Sequence, residues 1–288
     1  MTSYLLFAWA SSILSGVTGV TAKLTSKYSI KNHYLFNFLW QLFVVILTVP
    51  IALKNGASLP GHWYNIIFAS LCSTLFLTLA IRAIYSLEVS VLSPLYSLQT
   101  VFSLLLGVVV LHEVIGLRQF LFIALIILGG IFVNYDGHFN WRAFFRKPVL
   151  LAVLAMAFLP INSLFINQAI KQDSYWTVVL WTNIFTVLFI SLSFPKFKTG
   201  LLKVNWLQLS IVLLIAIIQT ATSLAYNKAV ATNVSITNTI NSLPISMIIV
   251  FVLSLFFPSL LEKHPVKVYL VRFVCASVMI YSALSLSK

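Results

Sequence analysis

The sequence contains very little charge, and this shortage excludes most soluble proteins. Only 8% of its 288 residues are Asp, Glu, Lys or Arg, against about 25% in an ordinary globular domain. A soluble fold needs a polar surface, which 18 basic and 5 acidic side chains cannot provide. Apolar residues make up 60% of the chain. This composition excludes a soluble enzyme and a disordered chain, and it predicts a multi-pass integral membrane protein.

Acidic residues are the scarcest charged group, and all five map to the ends of apolar runs or to connections: Glu88, Glu113, Asp136, Asp173 and Glu262. A cation exporter that exchanges protons at a central carboxylate needs an acid near the middle of the membrane. The sequence therefore counts against that mechanism. The two cysteines, Cys72 and Cys275, lie inside apolar runs, which is typical of small buried hydrophobic side chains and not of a disulfide or metal site.

The net charge of +13 does not indicate nucleic-acid binding, because the basic residues are scattered between the apolar runs and form no stripe. We expect the lipid bilayer and a small-molecule substrate as partners, with no nucleic acid. We expect the chain to be a monomer or a homodimer. We expect no cofactor and no metal. The nearest metal motifs, His112 with Glu113 and Glu262 with His264, are interpreted as polar residues that end helices.

Ten apolar segments are long enough for membrane helices, which take about 20 residues each. They cover residues 3–23, 33–53, 62–84, 89–111, 117–135, 148–170, 174–194, 205–229, 234–257 and 266–285. The connections are short, and the longest and most polar lies near 136–147. The sequence therefore predicts an all-α integral membrane fold with ten transmembrane helices. It leaves no room for a soluble catalytic domain, so we expect the protein not to be an enzyme.

The two halves of the chain share short patterns in the same order. Tyr34, Leu39 and Trp40 have the spacing of Tyr175, Leu180 and Trp181, and Arg82-Ala83-Ile84 resembles Lys228-Ala229-Val230. These matches predict two repeats of five helices, at residues 1–138 and 147–288. Five is an odd number, so two copies in series enter the membrane from opposite sides. Such inverted repeats are typical of carriers that work by alternating access, with the substrate site between the halves.

Uncharged polar and aromatic side chains inside the apolar segments indicate a cavity. Such groups must face protein or a wet cavity when lipid surrounds the helix. They cluster in segments two, four and six to nine, so these helices are predicted to surround the cavity, with five and ten outside. The alternative is hydrogen bonding between helices. The cavity candidates are Asn37, Gln41, Tyr96, Gln99, Asn162, Trp181, Asn183, Gln219, Tyr226, Asn238 and Asn241.

Two prolines and two basic residues are further candidates for function. Pro94 and Pro244 lie inside segments four and nine, where each is predicted to act as a hinge or as a static kink. Lys23 and Arg82 lie near the ends of segments one and three. They are interpreted either as attracting an anionic substrate or as extending to the lipid headgroups.

The stretch Ser90-Val91-Leu92-Ser93-Pro94-Leu95-Tyr96-Ser97-Leu98-Gln99-Thr100-Val101 is the most distinctive in the chain. With Gly107, His112-Glu113, Gln119 and Gly129-Gly130 after it, the stretch resembles the fourth and fifth helices of an EamA domain in the drug/metabolite transporter superfamily. Trp9-Ala10 followed by Lys23 is similar to the first-helix pattern of that family, with Ala in place of Gly. The resemblance implies two EamA-like inverted repeats and adds Trp9 to the cavity candidates.

The predicted function is a secondary transporter of a small polar metabolite, whether neutral, zwitterionic or anionic. The alternatives are a non-transporting membrane assembly or flippase accessory subunit and, less favoured, a lipid-modifying membrane enzyme. We expect the cell membrane, inner or plasma, as its location. The Lys/Arg tally favours both termini outside, whereas the resemblance favours both inside. Substrate, coupling ion and transport direction stay open.

Overall fold

The computed structural model describes residues 3–111, 116–132, 145–256 and 266–286. Within these ranges we number twelve helices in chain order, leaving the short turns Phe194–Lys196 and Lys198–Leu201 without numbers. They are α1 (Ser3–Tyr28), α2 (His33–Lys54), α3 (Trp63–Ser86), α4 (Val89–Leu95), α5 (Leu98–Leu111), α6 (Leu117–Phe132), α7 (Lys147–Gln172), α8 (Tyr175–Ser191), α9 (Trp206–Val230), α10 (Val234–Asn241), α11 (Ile245–Phe256) and α12 (Val266–Leu286).

Several of these helices are long and apolar enough to cross a membrane. Six stretches meet that standard, at Tyr4–Tyr28, His33–Lys54, Trp63–Ser86, Val89–Leu106, Lys147–Gln172 and Trp206–Val230, and Val89–Leu106 combines α4 with the first part of α5. Shorter apolar helices cover Phe120–Gly129, Tyr175–Ser191 and Ile245–Ser254. The prediction of a helical, multi-pass membrane protein is confirmed. The tenth predicted segment, α12, is not among these helices, and it carries Lys267 and Arg272.

Segments four and nine are each two helices and not the single helix that the sequence predicts. Tyr96 and Ser97 separate α4 from α5, and Ser242 to Pro244 separate α10 from α11. Proline lacks the backbone N–H of a helical hydrogen bond, and its ring collides with the preceding turn. Pro94 accordingly lies at the end of α4, and Pro244 immediately precedes α11.

The two breaks contact each other through hydroxyl groups. Ser97 Oγ donates to the Ser242 carbonyl over 3.4 Å, and Thr100 Oγ1 donates to Ser242 Oγ over 3.3 Å. Ser246 Oγ donates to Ser93 Oγ over 2.7 Å. Broken backbone at membrane depth needs polar partners inside the protein. These serine and threonine side chains supply such partners where the two halves of the chain meet.

The helices of the two halves pack in matching pairs. Helix α3 packs against α7, and α1 packs against α9. In the same way, α5 packs against α7 and α1 against α11. Two further pairs, α2 with α8 and α6 with α12, join helices that occupy the same place in each half. Helices α7 to α12 thus correspond in order to α1 to α6. Exchanging each helix for its counterpart turns the α3–α7 contact into the α9–α1 contact, and the α5–α7 contact into the α11–α1 contact.

The main apolar core contains side chains from both halves, among them Phe36, Leu95, Met156 and Ile215. Large apolar side chains also cover much of the outer surface, among them Leu6, Ile13, Leu214 and Leu270. A soluble monomer rarely exposes so much apolar surface. This outer surface is therefore suited to lipid.

Glycine at position 16 lets α1 approach the start of α11 closely. A Cβ atom at Gly16 would lie 2.7 Å from Ile245 Cγ2 and 3.1 Å from the Ser246 backbone nitrogen. One turn later, a Cβ atom at Gly19 would meet Ser246 Cβ at an ordinary 3.6 Å.

Gly16→Ala is expected to destabilise the protein by about 1–3 kcal/mol, because the methyl group overpacks this contact. Gly19→Ala is the matched control, and it should be neutral or stabilising by up to about 1 kcal/mol from helix propensity. Thermal unfolding of both variants in detergent measures the difference. Equal melting temperatures would contradict the close approach.

Candidate substrate cavity

A cavity of about 190 Å³ lies between the two halves of the chain. Helices α1, α2 and α3 contribute to its lining from the first half, and α7, α8 and α9 from the second. The broken segments add Tyr96 and Gln99 beside the first break and Asn241 at the end of α10. Among the described residues, α6 and α12 contribute no side chain to the lining.

Eight of the twelve predicted cavity residues line this space. They are amides and tyrosines from both halves of the chain: Gln41, Tyr96, Gln99, Asn162, Asn183, Gln219, Tyr226 and Asn241. They are far apart in sequence, and the packing of α2, α5, α7 and α9 brings them together. Their role in binding a substrate stays a prediction.

The other four predicted residues lie outside the lining. Trp9 is 41% exposed on the outer surface. Asn37 is buried, and its amide donates to Thr78 Oγ1 over 3.3 Å. The Trp181 indole donates to the Ser58 carbonyl over 2.9 Å and packs edge-on against another tryptophan. Asn238 lies behind the cavity.

Asn238 supports a lining residue from behind. Its Oδ1 accepts from the Tyr226 hydroxyl over 2.6 Å and from Ser163 Oγ over 3.1 Å. The Asn238 side chain therefore fixes the position of the Tyr226 hydroxyl group.

Lys23 and Arg82, the two candidates for anion attraction, also lie outside the lining. The Lys23 ammonium donates to the carbonyls of Ile84 and Leu87, over 2.7 and 2.6 Å. These hydrogen bonds serve the C-terminal end of α3, where carbonyl groups lack helical partners. Arg82 is half-buried in the last two turns of the same helix.

An equivalent contact in the second half is made by a neutral side chain. The Asn167 amide, on α7, donates to the carbonyls of Val230 and Ala231 at the end of α9, over 2.9 and 3.4 Å. Val230 corresponds to Ile84 in the matched patterns of the two halves. The ammonium in one half and the amide in the other therefore bind corresponding helix ends.

The polar pattern of the sequence missed the contributions of α1 and α3 to the lining. Helix α1 supplies Ser15, Thr18 and Gly19, and α3 supplies Ser73 beside apolar side chains. Small hydroxyl residues are common packing residues in membrane helices, so they gave little signal. The α3 positions could have been found by aligning the two helices on the Arg82–Lys228 match and taking the α3 residues opposite the polar residues of the second-half helix.

Corresponding positions of α3 and α9 form two unlike walls of the cavity. The wall from α3 is apolar, with Phe76, Leu77, Ala80, Ile81 and Ile84. The wall from α9 is polar, with Gln219, Thr222, Ser223, Tyr226 and Asn227. Leu77 and Ser223 are as far apart in sequence as Arg82 and Lys228, and so are Ile81 and Asn227. They are therefore equivalent positions of the two halves.

Hydrogen bonds across the cavity connect the two halves. The Gln41 amide nitrogen, on α2, donates to Asn183 Oδ1, on α8, over 3.1 Å. The Asn162 amide, on α7, donates to the Ala69 carbonyl and to Ser73 Oγ on α3, each over 2.8 Å. These bonds leave Gln41 Oε1 and Asn162 Oδ1 as acceptors.

Three lining residues each keep a buried polar atom without a hydrogen-bond partner among the described residues. These atoms are Trp40 Nε1, Gln99 Nε2 and Thr182 Oγ1. Nearly all buried polar groups in proteins are hydrogen-bonded, so each exception needs an explanation. None of the three atoms is accessible from the cavity in this structure, so a ligand reaches them only after their side chains change rotamer.

Several sequence predictions fall outside the described residues. They concern His112 and Glu113, Glu262 and His264, Asp136, and most of the connection near 136–147, including the boundary at residue 138.

Comparison with known proteins gives a family match over the first half of the chain and a shared fold over nearly all of it. Residues 2–135 match the model of the EamA-like transporter family. No curated protein matches the chain. Among 27 matching solved chains is a crystal structure described only as that of a protein. It is 11% identical, covers 99% of this chain and 97% of its own, and has a TM-score of 0.65. At that identity the likeness shows the fold alone.

Proposed function

We propose that the protein is a secondary transporter of a small polar metabolite, because residues 2–135 match the model of the EamA-like transporter family. This match agrees with the resemblance stated from the sequence. Family members are generally transporters. The proposed mechanism is alternating access, in which the two halves expose one central site to each side of the membrane in turn.

The matching helix pairs support two inverted repeats. An inverted repeat carries each contact between halves into an equivalent contact, and the packing of α3 on α7 matches that of α1 on α9. If the broken pairs α4–α5 and α10–α11 each count as one span, the chain has ten spans in two sets of five. Five spans per half give the halves opposite orientations.

The broken helices support a site at the centre of the membrane. Carriers with inverted repeats commonly bind substrate beside discontinuous helices near the midplane. Here the breaks fall in corresponding segments, beside Pro94 and Pro244, and Tyr96 and Asn241 next to them line the cavity. We propose that the two prolines act as hinges.

The observation that carries the proposed function is the cavity itself. It lies between the two halves of a chain with several membrane-capable helices, and both halves contribute polar side chains to its lining. A well-formed, largely apolar pocket with a few convergent polar groups is the default hypothesis for a ligand site. We further propose that the protein resides in the inner or plasma membrane of the cell.

Counterflow in proteoliposomes tests the proposal. Liposomes preloaded with one unlabelled compound from a metabolite panel should transiently concentrate the same labelled compound, because a carrier exchanges substrate through one alternating site. Protein-free liposomes are the control. Equilibration without concentration would indicate a channel, and no protein-dependent flux across the panel would contradict transport.

Leu77→Trp is expected to reduce counterflow to the protein-free level, because the indole fills a cavity of about 190 Å³ from the α3 wall. Leu75→Trp is the matched control, since Leu75 lies on the same helix and is exposed on its outer face. Equal loss in both variants would indicate general damage to α3. Full activity of Leu77→Trp would show that substrate does not use this cavity.

A further inference from the structure

We infer that the cavity binds an uncharged small metabolite with one apolar face and a hydrogen-bonding edge, which is the chemistry of a pyrimidine base. The inference rests on the proposed function and narrows the substrate class for the same site. Four features of the cavity carry it: the absence of charge in the described lining, the two unlike walls, the unused hydrogen-bonding groups and the size.

The described lining contains no Asp, Glu, Lys, Arg or His side chain. A charged ligand in such a site would lose its hydration without gaining an opposite charge. Lys23, a candidate cation from the sequence, binds the carbonyls at the end of α3 and does not line the cavity. The lining therefore favours an uncharged ligand over an anionic or a zwitterionic one.

The two walls favour a ligand with two unlike sides. Phe76, Leu77 and Ile81 of α3 offer an apolar surface. At the corresponding positions of α9, the side chains are Thr222, Ser223 and Asn227. A uniformly polar molecule would leave the α3 wall without complementary contacts, and a hydrocarbon would leave buried polar groups on α9 unpaired.

The unused hydrogen-bonding groups include both donors and acceptors. Trp40 Nε1 and Gln99 Nε2 are donors without partners in the described part of the chain, and both are buried beside the cavity, so a ligand reaches them after a change of rotamer. Asn162 uses its amide hydrogens on α3, which leaves its Oδ1 as an acceptor. A ligand edge that carries both C=O and N–H groups, as a pyrimidine base does, matches this mixed set.

The cavity is also small. Its volume of about 190 Å³ lies below the roughly 300–1,000 Å³ that is typical of pockets for drug-sized ligands. This volume suits a single ring with its substituents better than a nucleotide or a large dye.

A thermal-shift comparison of uracil with orotate, which is uracil bearing a carboxylate, tests the inference on the purified full-length protein. Uracil should raise the melting temperature in a concentration-dependent way, because a ligand stabilises the state that it binds. Orotate should bind about 100-fold more weakly, because a buried unpaired charge carries a penalty of that order. Equal or stronger binding of orotate, or no shift with uracil, would overturn the inference.

Asn227→Leu extends the test to the polar wall. Asn227 lines the cavity, and loss of one ligand hydrogen bond should weaken uracil binding about tenfold. Gln168→Leu is the control, because Gln168 is an exposed amide on α7 outside the lining. An unchanged uracil shift in Asn227→Leu would overturn the assignment of this wall to the ligand edge.

The counterflow assay separates this inference from the proposed function. Uracil binding without counterflow would support the uncharged ligand and contradict the carrier. Counterflow of orotate with none of uracil would support the carrier and overturn the ligand class.

Discussion

Replacing Glu88 by alanine is expected to destabilise the protein by about 3–5 kcal/mol, because the substitution removes a carboxylate that a buried guanidinium binds. The Glu88 carboxylate accepts from Arg272 Nη1 over 2.8 Å. The Arg272 side chain is 2% exposed and that of Glu88 is 40% exposed, so the unfavourable desolvation falls on the arginine. Arg272 Nη1 also donates to Ser90 Oγ, which cannot replace a carboxylate.

Arg272→Met should be milder than Glu88→Ala, although both variants remove the same ion pair. In Arg272→Met the buried charge itself is gone, and the remaining Glu88 side chain is partly exposed. The double variant should therefore be more stable than Glu88→Ala alone. Thermal unfolding in one detergent compares the three proteins. If Arg272→Met unfolded at the lower temperature, the desolvation argument would be wrong.

The Glu88–Arg272 pair shows that α12 stabilises the fold although it contributes no side chain to the cavity lining. The pair links α12 to the connection between α3 and α4, directly before the broken segment. The place of Arg272 near the start of the last apolar segment predicts that its side chain extends to the lipid headgroups. The burial of Arg272 results from packing between helices that are far apart in sequence. The hydropathy of the last segment alone therefore cannot predict it.

The helical membrane fold could be predicted because its cause is compositional: long apolar runs with few charges require helices in lipid. The breaks could be predicted only in part. Pro94 and Pro244 marked the two segments, but proline can also bend a continuous membrane helix. What separates a break from a bend here is the contact between Ser97 and Ser242 across the halves.

The sequence predicts a cavity residue correctly where the polar side chain is not hydrogen-bonded to a neighbouring segment away from the cavity. Gln41 and Asn183 line it, whereas Asn37 and Trp181 satisfy their polar groups on Thr78 and Ser58. The sequence gives the same signal for all four residues, since an amide or indole in an apolar helix needs a partner of either kind. Only the neighbouring helices decide which kind it finds.

A disulfide between positions 58 and 177 is expected to stop transport reversibly. Ser58 lies in the α2–α3 connection of the first half, and Thr177 lies in the first turn of α8 in the second half. Their hydroxyl oxygens are 3.5 Å apart, and the Ser58 amide donates to Thr177 Oγ1 over 3.1 Å. Nearby, the Gly61 amide donates to Asp173 over 2.8 Å. In alternating access the halves must separate at one face while they close at the other, and a covalent bond here prevents the separation.

The test uses Ser58→Cys/Thr177→Cys in a background where Cys72 and Cys275, both free thiols, are replaced by alanine. Oxidation should reduce counterflow to the protein-free level, and a reductant should restore it. Ser174→Cys/Thr177→Cys is the matched control, because its hydroxyl oxygens are 2.8 Å apart but both residues belong to the second half. That disulfide should leave transport intact, since it ties neighbouring residues of one rigid unit. Transport that survives a complete 58–177 cross-link would mean that the halves do not part at this face, and the proposed mechanism would then fail even if the cavity binds its ligand.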